Sequence, residues 1–192
     1  MRMVAQLARL SRRFVAARRG MAAVEFAMVL PVLAVLFLAT FDGGRALAIY
    51  MKVRAATYAV DAVTNQYPSI SSAQMSDIVG ATAKVLSPYS GTPLVVTISQ
   101  IEVTKQNTAT VAWSYSFNGT PLSGSQTVPA NLATCGTYPC YLIYGQVSYA
   151  YTPLFGFFST STINLSDSLY TTPRSATCIA YTPLTGAACT AS

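Results

Sequence analysis

The sequence contains no histidine and very little charge. Asp, Glu, Lys and Arg make up only 9% of its 192 residues, whereas soluble domains carry roughly 25%. Without histidine, a His-based catalytic triad and a His-ligated metal site are excluded. The few acidic residues are scattered, and there is neither a glycine-rich phosphate loop nor a G-x-S-x-G motif. The sequence therefore predicts no enzyme, no cofactor, no metal site and no small-molecule substrate.

The positive charge is concentrated at the N-terminus. Six of the twelve basic residues lie in the first 20 positions, with no acid among them: Arg2, Arg9, Arg12, Arg13, Arg18 and Arg19. In the rest of the chain six basic residues balance six acidic ones. A nucleic-acid-binding surface needs basic residues on one face of the folded body, so no nucleic-acid partner is expected.

A long apolar run follows this basic leader. Residues 21–41 contain one charge, Glu25, and as a helix they would extend ~31 Å, close to the ~30 Å hydrocarbon core of a bilayer. A cleavable secretory signal has a shorter apolar core of about 7 to 15 residues. The run could instead be a buried core helix, but the rest of the chain has too little charged surface to enclose such a helix in a soluble domain. The run therefore predicts a single membrane span over residues 21–41.

The flanking charges and the cysteines give the same orientation. The denser basic cluster precedes the span, which keeps residues 1–20 in the cytoplasm and exports the remainder. All four cysteines lie beyond the span: Cys135, Cys140, Cys178 and Cys189. An even number in an exported domain indicates disulfides, and three pairings are possible. Short-range pairs, Cys135 with Cys140 and Cys178 with Cys189, are favoured because each would close a loop rich in Gly, Thr or Pro, whereas zinc is disfavoured without C-x-x-C or histidine.

The junction between leader and span carries a specific motif. Gly20 is followed by four residues and then by Glu25 and Phe26. This spacing resembles the processing site of type IV prepilins of the Flp/Tad system. The resemblance implies that prepilin peptidase cuts after Gly20 and makes Met21 the first mature residue. E-F-A-M-V-L-P-V-L from Glu25 and D-G-G-R-A-L from Asp42 are similar to the opening of TadE-like minor pseudopilins.

The same resemblance assigns a role to Glu25. In pilin-like subunits this glutamate is thought to meet the N-terminal ammonium of a neighbouring subunit. A charge at the centre of a membrane helix costs about 2.5 to 3.5 kcal/mol on insertion scales, and less near an interface, so a carboxylate there calls for a partner. The alternative is that Glu25 lies close enough to the surface to be solvated among headgroups.

The function implied by the resemblance is structural. It predicts a TadE-like pseudopilin that takes part in Flp/Tad pilus biogenesis, and thereby in adhesion or secretion. The protein would be single-pass in the bacterial inner membrane, with a periplasmic C-terminal domain. The implied partners are inner-membrane lipid, prepilin peptidase, other Tad pseudopilins and pilus assembly proteins.

A second hypothesis is an exported or membrane-anchored binding protein. Ser11-Arg12-Arg13-Phe14-Val15 resembles the start of a twin-arginine signal, and a Sec signal is the related possibility. The phenylalanine falls one place early, however, and Glu25 would interrupt the apolar core. The mature N-terminus separates the two hypotheses, because a secretory product would begin near or beyond Ala48.

The exported body has the pattern of an α+β domain. The N-terminal helix is predicted to cover residues 21–66, with a hinge at Gly43-Gly44, and the exported domain to cover residues 67–192. From Ala46 the helix should be amphipathic, with an apolar stripe at spacings of three and four: Leu47, Tyr50, Val53, Ala56 and Val60. A second helix should begin after Ser71 or Ser72 and end at Ser87-Pro88. Four antiparallel strands are expected in residues 94–104, 110–117, 141–151 and 162–171, with a bulge between Ile98 and Ile101. The segment L-F-G-F-F at 154–158 predicts a loop with an apolar tip, which marks a partner, a membrane contact or a plug in the core.

Overall fold

A single helix dominates the N-terminal part of the protein. The computed structural model describes residues 19–89, 93–106, 108–156 and 161–182, and its first element is helix α1, Arg19–Thr64. This helix is 46 residues long and passes through Pro31, Gly43 and Gly44 without a break. The hinge predicted at the two glycines is therefore wrong, because contacts of the next turns with the body hold the helix there. Ala46 and Ile49 already belong to the core.

A second, shorter helix follows a tight connection. Helix α2, Ser72–Val85, starts at the N-cap Ser71, as predicted. The Ser71 hydroxyl accepts a hydrogen bond from the Gln74 backbone N–H, and the Gln74 side chain accepts one from the Ser71 N–H at 2.8 Å. This capping box satisfies two backbone donors that a helix start otherwise leaves free.

The body contains one five-stranded antiparallel sheet in the order β4-β3-β2-β5-β6. The strands are β1 (Ser69–Ser71), β2 (Leu94–Lys105), β3 (Thr108–Phe117), β4 (Ser125–Gln126), β5 (Cys140–Tyr151), β6 (Ile163–Thr171) and β7 (Ala180–Thr182). The four long strands are those predicted, and the α+β class with its long N-terminal helix is confirmed. The short β4 and the parallel pair β1-β7 were not predicted, because two or three residues carry too little periodicity to signal a strand.

The strand register locates the predicted bulge. Between β2 and β5 the pairing is continuous from Leu94 opposite Tyr149 to Val103 opposite Cys140. Between β2 and β3 the register shifts after Gln100, at the predicted place, and the unpaired residue there is Ala112 of β3. The shift in hydrophobic pattern along β2 has a second cause: Ile98 faces one core cluster and Ile101 another.

The main core lies between the two helices and one face of the sheet. Val53, Ala56 and Val60 of the predicted stripe on α1 are almost fully buried there. The stripe is wrong at Leu47 and Tyr50, which are exposed, because the first turn to enter the core does so through Ile49. A smaller cluster around Ile101 and Leu142 joins the sheet to the cysteine-containing loop. The two halves of α1 therefore have different surroundings. The second half is part of the core, and the first half extends away from the body.

Candidate processing and assembly site

The predicted processing residues lie at the exposed start of α1. Gly20, Met21, Glu25 and Phe26 are all exposed, with Met21 at 65% and Phe26 at 61%. The structure brings them together on two consecutive helical turns, while residues 1–18 lie outside the described part of the chain. No part of the described body covers this segment.

The apolar run beyond these residues has no cover within the described chain. An 18-residue window of α1 has a mean hydropathy of 2.4 and is 0% buried. Phe26, Met28 and Phe37 are each more than half exposed. Transferring one such side chain from water to an apolar environment is favourable by about 1.5 to 3 kcal/mol, so the run is stable only in apolar surroundings. This helix indicates membrane anchoring.

Glu25 introduces a single charge into that surface. One helical turn before and after it stand Met21 and Val29, whose side chains are apolar. Its carboxylate is exposed along the helix. The exposed Glu25 carboxylate can therefore form an ion pair with a cationic group of another molecule.

Asp42 joins the end of the apolar run to the body. Its carboxylate accepts hydrogen bonds from the backbone N–H groups of Leu154 and Phe155, both at 3.1 Å, and its carbonyl oxygen accepts one from the Tyr151 hydroxyl at 3.2 Å. The rings of Phe41 and Phe155 pack edge to face at 5.9 Å. The sequence placed Asp42 at the end of the span but gave no sign of its partners, because they are 109 to 113 residues away.

Asp61 is a second acidic residue that sequence reasoning missed. It is 1% exposed, and neither carboxylate oxygen has a hydrogen-bond partner. Burial raises the pKa of Asp61 from 3.8 to about 7. The carboxylate faces Gly145 of β5, where a Cβ would lie 2.2 Å from the Asp61 Oδ1 atom. The available signal was the helical spacing of Thr57, Asp61 and Thr64 beside the apolar stripe.

One predicted disulfide is present. Cys135 and Cys140 are bonded, with their Cα atoms 6.4 Å apart. In the loop between them, the Tyr138 hydroxyl donates to the carbonyl of Ala133 at 3.1 Å. Cys178 is also disulfide-bonded, but Cys189 lies outside the described residues, so the pairing of these two stays a prediction.

The described residues bring together no metal-ligand cluster. Within residues 19–89, 93–106, 108–156 and 161–182, no group of three or more His, Cys, Asp or Glu side chains could hold an ion. The loop prediction is seen in part: Leu154 and Phe155 form an exposed tip, while Phe157 and Phe158 lie outside the described residues.

Comparison with known proteins identifies the N-terminal segment. Residues 20–60 match the family described as TadE-like protein. No curated protein and no solved structure matches the chain. The TadE-like resemblance is thus confirmed over residues 20–60, which contain the apolar run, the Asp42 junction and the first buried turns of α1.

Proposed function

We propose, from the TadE-like match of residues 20–60, that the protein is a pseudopilin processed by prepilin peptidase between Gly20 and Met21. In this proposal it serves as a structural subunit in Flp/Tad pilus assembly. The observation that carries the proposal is Gly20, separated by four residues from Glu25-Phe26, at the start of an exposed apolar helix.

The charge and hydropathy patterns support a location for this subunit. The basic leader of residues 1–20 would stay in the cytoplasm, residues 21–41 would span the inner membrane, and the domain of residues 67–192 would lie in the periplasm. The disulfide between Cys135 and Cys140 fits an oxidising compartment. Prepilin peptidase would act on the cytoplasmic side, where the leader is accessible.

Glu25 would act after processing. Cleavage releases an ammonium at Met21 in every subunit, and the Glu25 carboxylate of a neighbour can pair with it. Such a pair neutralises two charges that lipid solvates poorly, so it favours the assembled state over the isolated subunit. The partners would be other Tad pseudopilins and pilus assembly proteins.

The test is the N-terminus of the protein isolated from membranes. Wild-type protein should begin at Met21, and Gly20→Val should retain the leader and migrate as a heavier species. Gly44→Val is the matched control, since a Cβ at Gly44 meets no atom within 4 Å; this variant should be cut normally. A mature N-terminus near or beyond Ala48 would instead identify a secretory product and refute the proposal.

A further inference from the structure

Exposed apolar side chains gather where α1 leaves its apolar run. Phe41 ends that run, Leu154 and Phe155 follow β5, and Ile163 begins β6. Their exposed fractions are between 40% and 62%, with Leu154 the highest. These four residues form what we call the junction patch. A cavity of about 190 Å³ lies beside it, lined on the α1 side by Ala39, Asp42, Gly43 and Ala46 and on the other side by Tyr151, Pro153 and Ile163.

The height of the patch along α1 is fixed. The two hydrogen bonds from Leu154 and Phe155 to the Asp42 carboxylate hold the loop against the helix, and the Phe155 ring touches Phe41. Because α1 is unbroken from Arg19 to Thr64, the patch cannot shift relative to the apolar run. Along the axis of α1, Phe155 therefore lies level with Phe41, where the apolar run ends.

We propose that the junction patch enters the lipid bilayer at the boundary between headgroups and acyl chains, as a second membrane contact of the body. This inference rests on the proposed membrane span. The patch is continuous with the exposed apolar surface of α1 through Phe41, so a bilayer that reaches Phe41 also reaches Phe155. A lipid surface is thus the partner that the position of the patch selects.

The polar groups at the patch are compatible with this environment. Backbone N–H groups need internal partners where water is scarce. The N–H groups of Leu154 and Phe155, two exposed apolar residues in the described part of the loop, both have one in Asp42. Asp42 as a whole residue is 7% exposed, and the two N–H groups replace water as donors to its carboxylate. In the described part of the loop, Leu154 and Phe155 can therefore meet lipid with their side chains facing outward and their N–H groups satisfied, while Thr152, Ser161 and Thr162 add exposed hydroxyl groups suited to the headgroup level.

Tryptophan variants of the full chain can measure this depth. The native Trp113 is 2% exposed and supplies a constant background. Leu154→Trp reports on the patch, Phe37→Trp on the span, and Tyr58→Trp on an exposed site that is 16 residues beyond Asp42, or about 24 Å further along the helix. Each protein is reconstituted in phosphatidylcholine vesicles whose acyl chains are brominated either near the headgroup or near the methyl end.

The expected result separates the three positions. Leu154→Trp should shift to shorter emission wavelength and lose emission mainly with bromine near the headgroup. Phe37→Trp lies about 6 Å deeper along the helix than Phe41 and should be quenched more strongly than Leu154→Trp by bromine near the methyl end. Tyr58→Trp should be quenched by neither lipid.

Other outcomes overturn the inference in distinguishable ways. Quenching at Phe37 without quenching at Leu154 leaves the span intact and refutes the patch; a blue shift at Leu154 in that case identifies a protein surface as its cover. Equal quenching at Leu154 and Tyr58 contradicts the assigned depth. Absence of quenching at Phe37 refutes the membrane span of the proposed function, and the inference falls with it.

Discussion

At the scale of single residues, Asp61 is the acid whose burial disfavours its ionised form. Its carboxylate is buried between α1 and β5 and has no hydrogen-bond partner, so the neutral form is favoured in the folded state. The pKa of Asp61 is raised to about 7 from 3.8, which corresponds to on the order of 4 kcal/mol of unfolding free energy. The unfolded chain loses this proton at lower pH than the folded one.

The sign of the pH dependence follows from this order. Between about pH 4 and pH 7 the folded protein holds the proton that the unfolded chain has released, so Asp61 lowers the free energy of unfolding as pH rises. We expect Asp61→Asn to remove this part of the slope. Denaturant unfolding in detergent, followed by the fluorescence of the buried Trp113, measures it.

The matched control for this prediction is an exposed aspartate on α2. Asp77→Asn makes the same chemical change on the surface and should leave the wild-type pH dependence in place. If Asp61→Asn retained the full slope between pH 4 and pH 7, ionisation of Asp61 would not be coupled to folding.

At the scale of elements, the approach of α1 to β5 depends on a glycine. Gly145 lies in the middle of β5, opposite Ile98 of β2, and the Asp61 carboxylate occupies the space where its side chain would be. A Cβ there would lie 2.2 Å from Oδ1 and 3.0 Å from Cγ of Asp61. Since Gly145 belongs to a strand paired on both sides, the backbone has little freedom to move away.

We expect Gly145→Ala to lower the free energy of unfolding by about 1 to 3 kcal/mol, the usual cost of overpacking. Combining it with Asp61→Ala should recover much of that loss, because the second change removes the clashing atoms. A double-mutant cycle measured by denaturant unfolding gives the coupling between the two residues.

Gly80→Ala provides the control for the cycle. It lies on α2, where a Cβ meets no atom within 4 Å, and it should raise the free energy of unfolding by about 0.5 to 1 kcal/mol. Additive effects of Gly145→Ala and Asp61→Ala would show that the close approach does not determine how α1 packs on β5.

At the scale of the whole molecule, α1 carries two opposite requirements. Its second half is held in the core by contacts with the sheet, whereas its first half exposes apolar side chains and the single charge of Glu25. In the proposed assembly, the apolar side chains in the first half of α1 contact lipid in the isolated subunit and neighbouring subunits in the pilus. Glu25 is the residue that distinguishes those two environments.

We expect Glu25→Ala to be inserted and cleaved but to fail in co-purification with other pseudopilins and in piliation. The reason is that the substitution relieves a charge in the isolated subunit and removes an attraction in the assembly. Glu25→Asp should be intermediate, because its shorter side chain keeps the charge but reaches less far. Pull-down from solubilised membranes and pilus counts provide the measurements.

A neutral exposed position in the same helix serves as control. Met28→Ala changes a residue that is 73% exposed without altering charge, and it should support assembly. Normal cleavage together with normal piliation of Glu25→Ala would mean that the glutamate is solvated among headgroups and has no assembly role.

Local sequence determined most of the elements of this protein. The apolar run, the helical stripe through Val53, Ala56 and Val60, and the serine before α2 each have a signal within a few residues. The alternation of Val111, Trp113 and Tyr115 likewise predicted β3. These features were predictable because hydrophobic periodicity and helix capping act over one or two turns or a single strand. The glycine-to-glutamate motif is local in the same way.

The tertiary structure alone decided how these elements meet. Asp42 obtains its hydrogen-bond donors from Leu154 and Phe155, and Asp61 lies against Gly145, across separations of more than 80 residues. A carboxylate in the sequence looks the same whether it will be solvated, capped by backbone N–H groups or buried without a partner. Only the packing of α1 on the sheet fixes which of these environments each acid has, and with it the continuous helix at Gly43-Gly44 that the glycines alone did not predict.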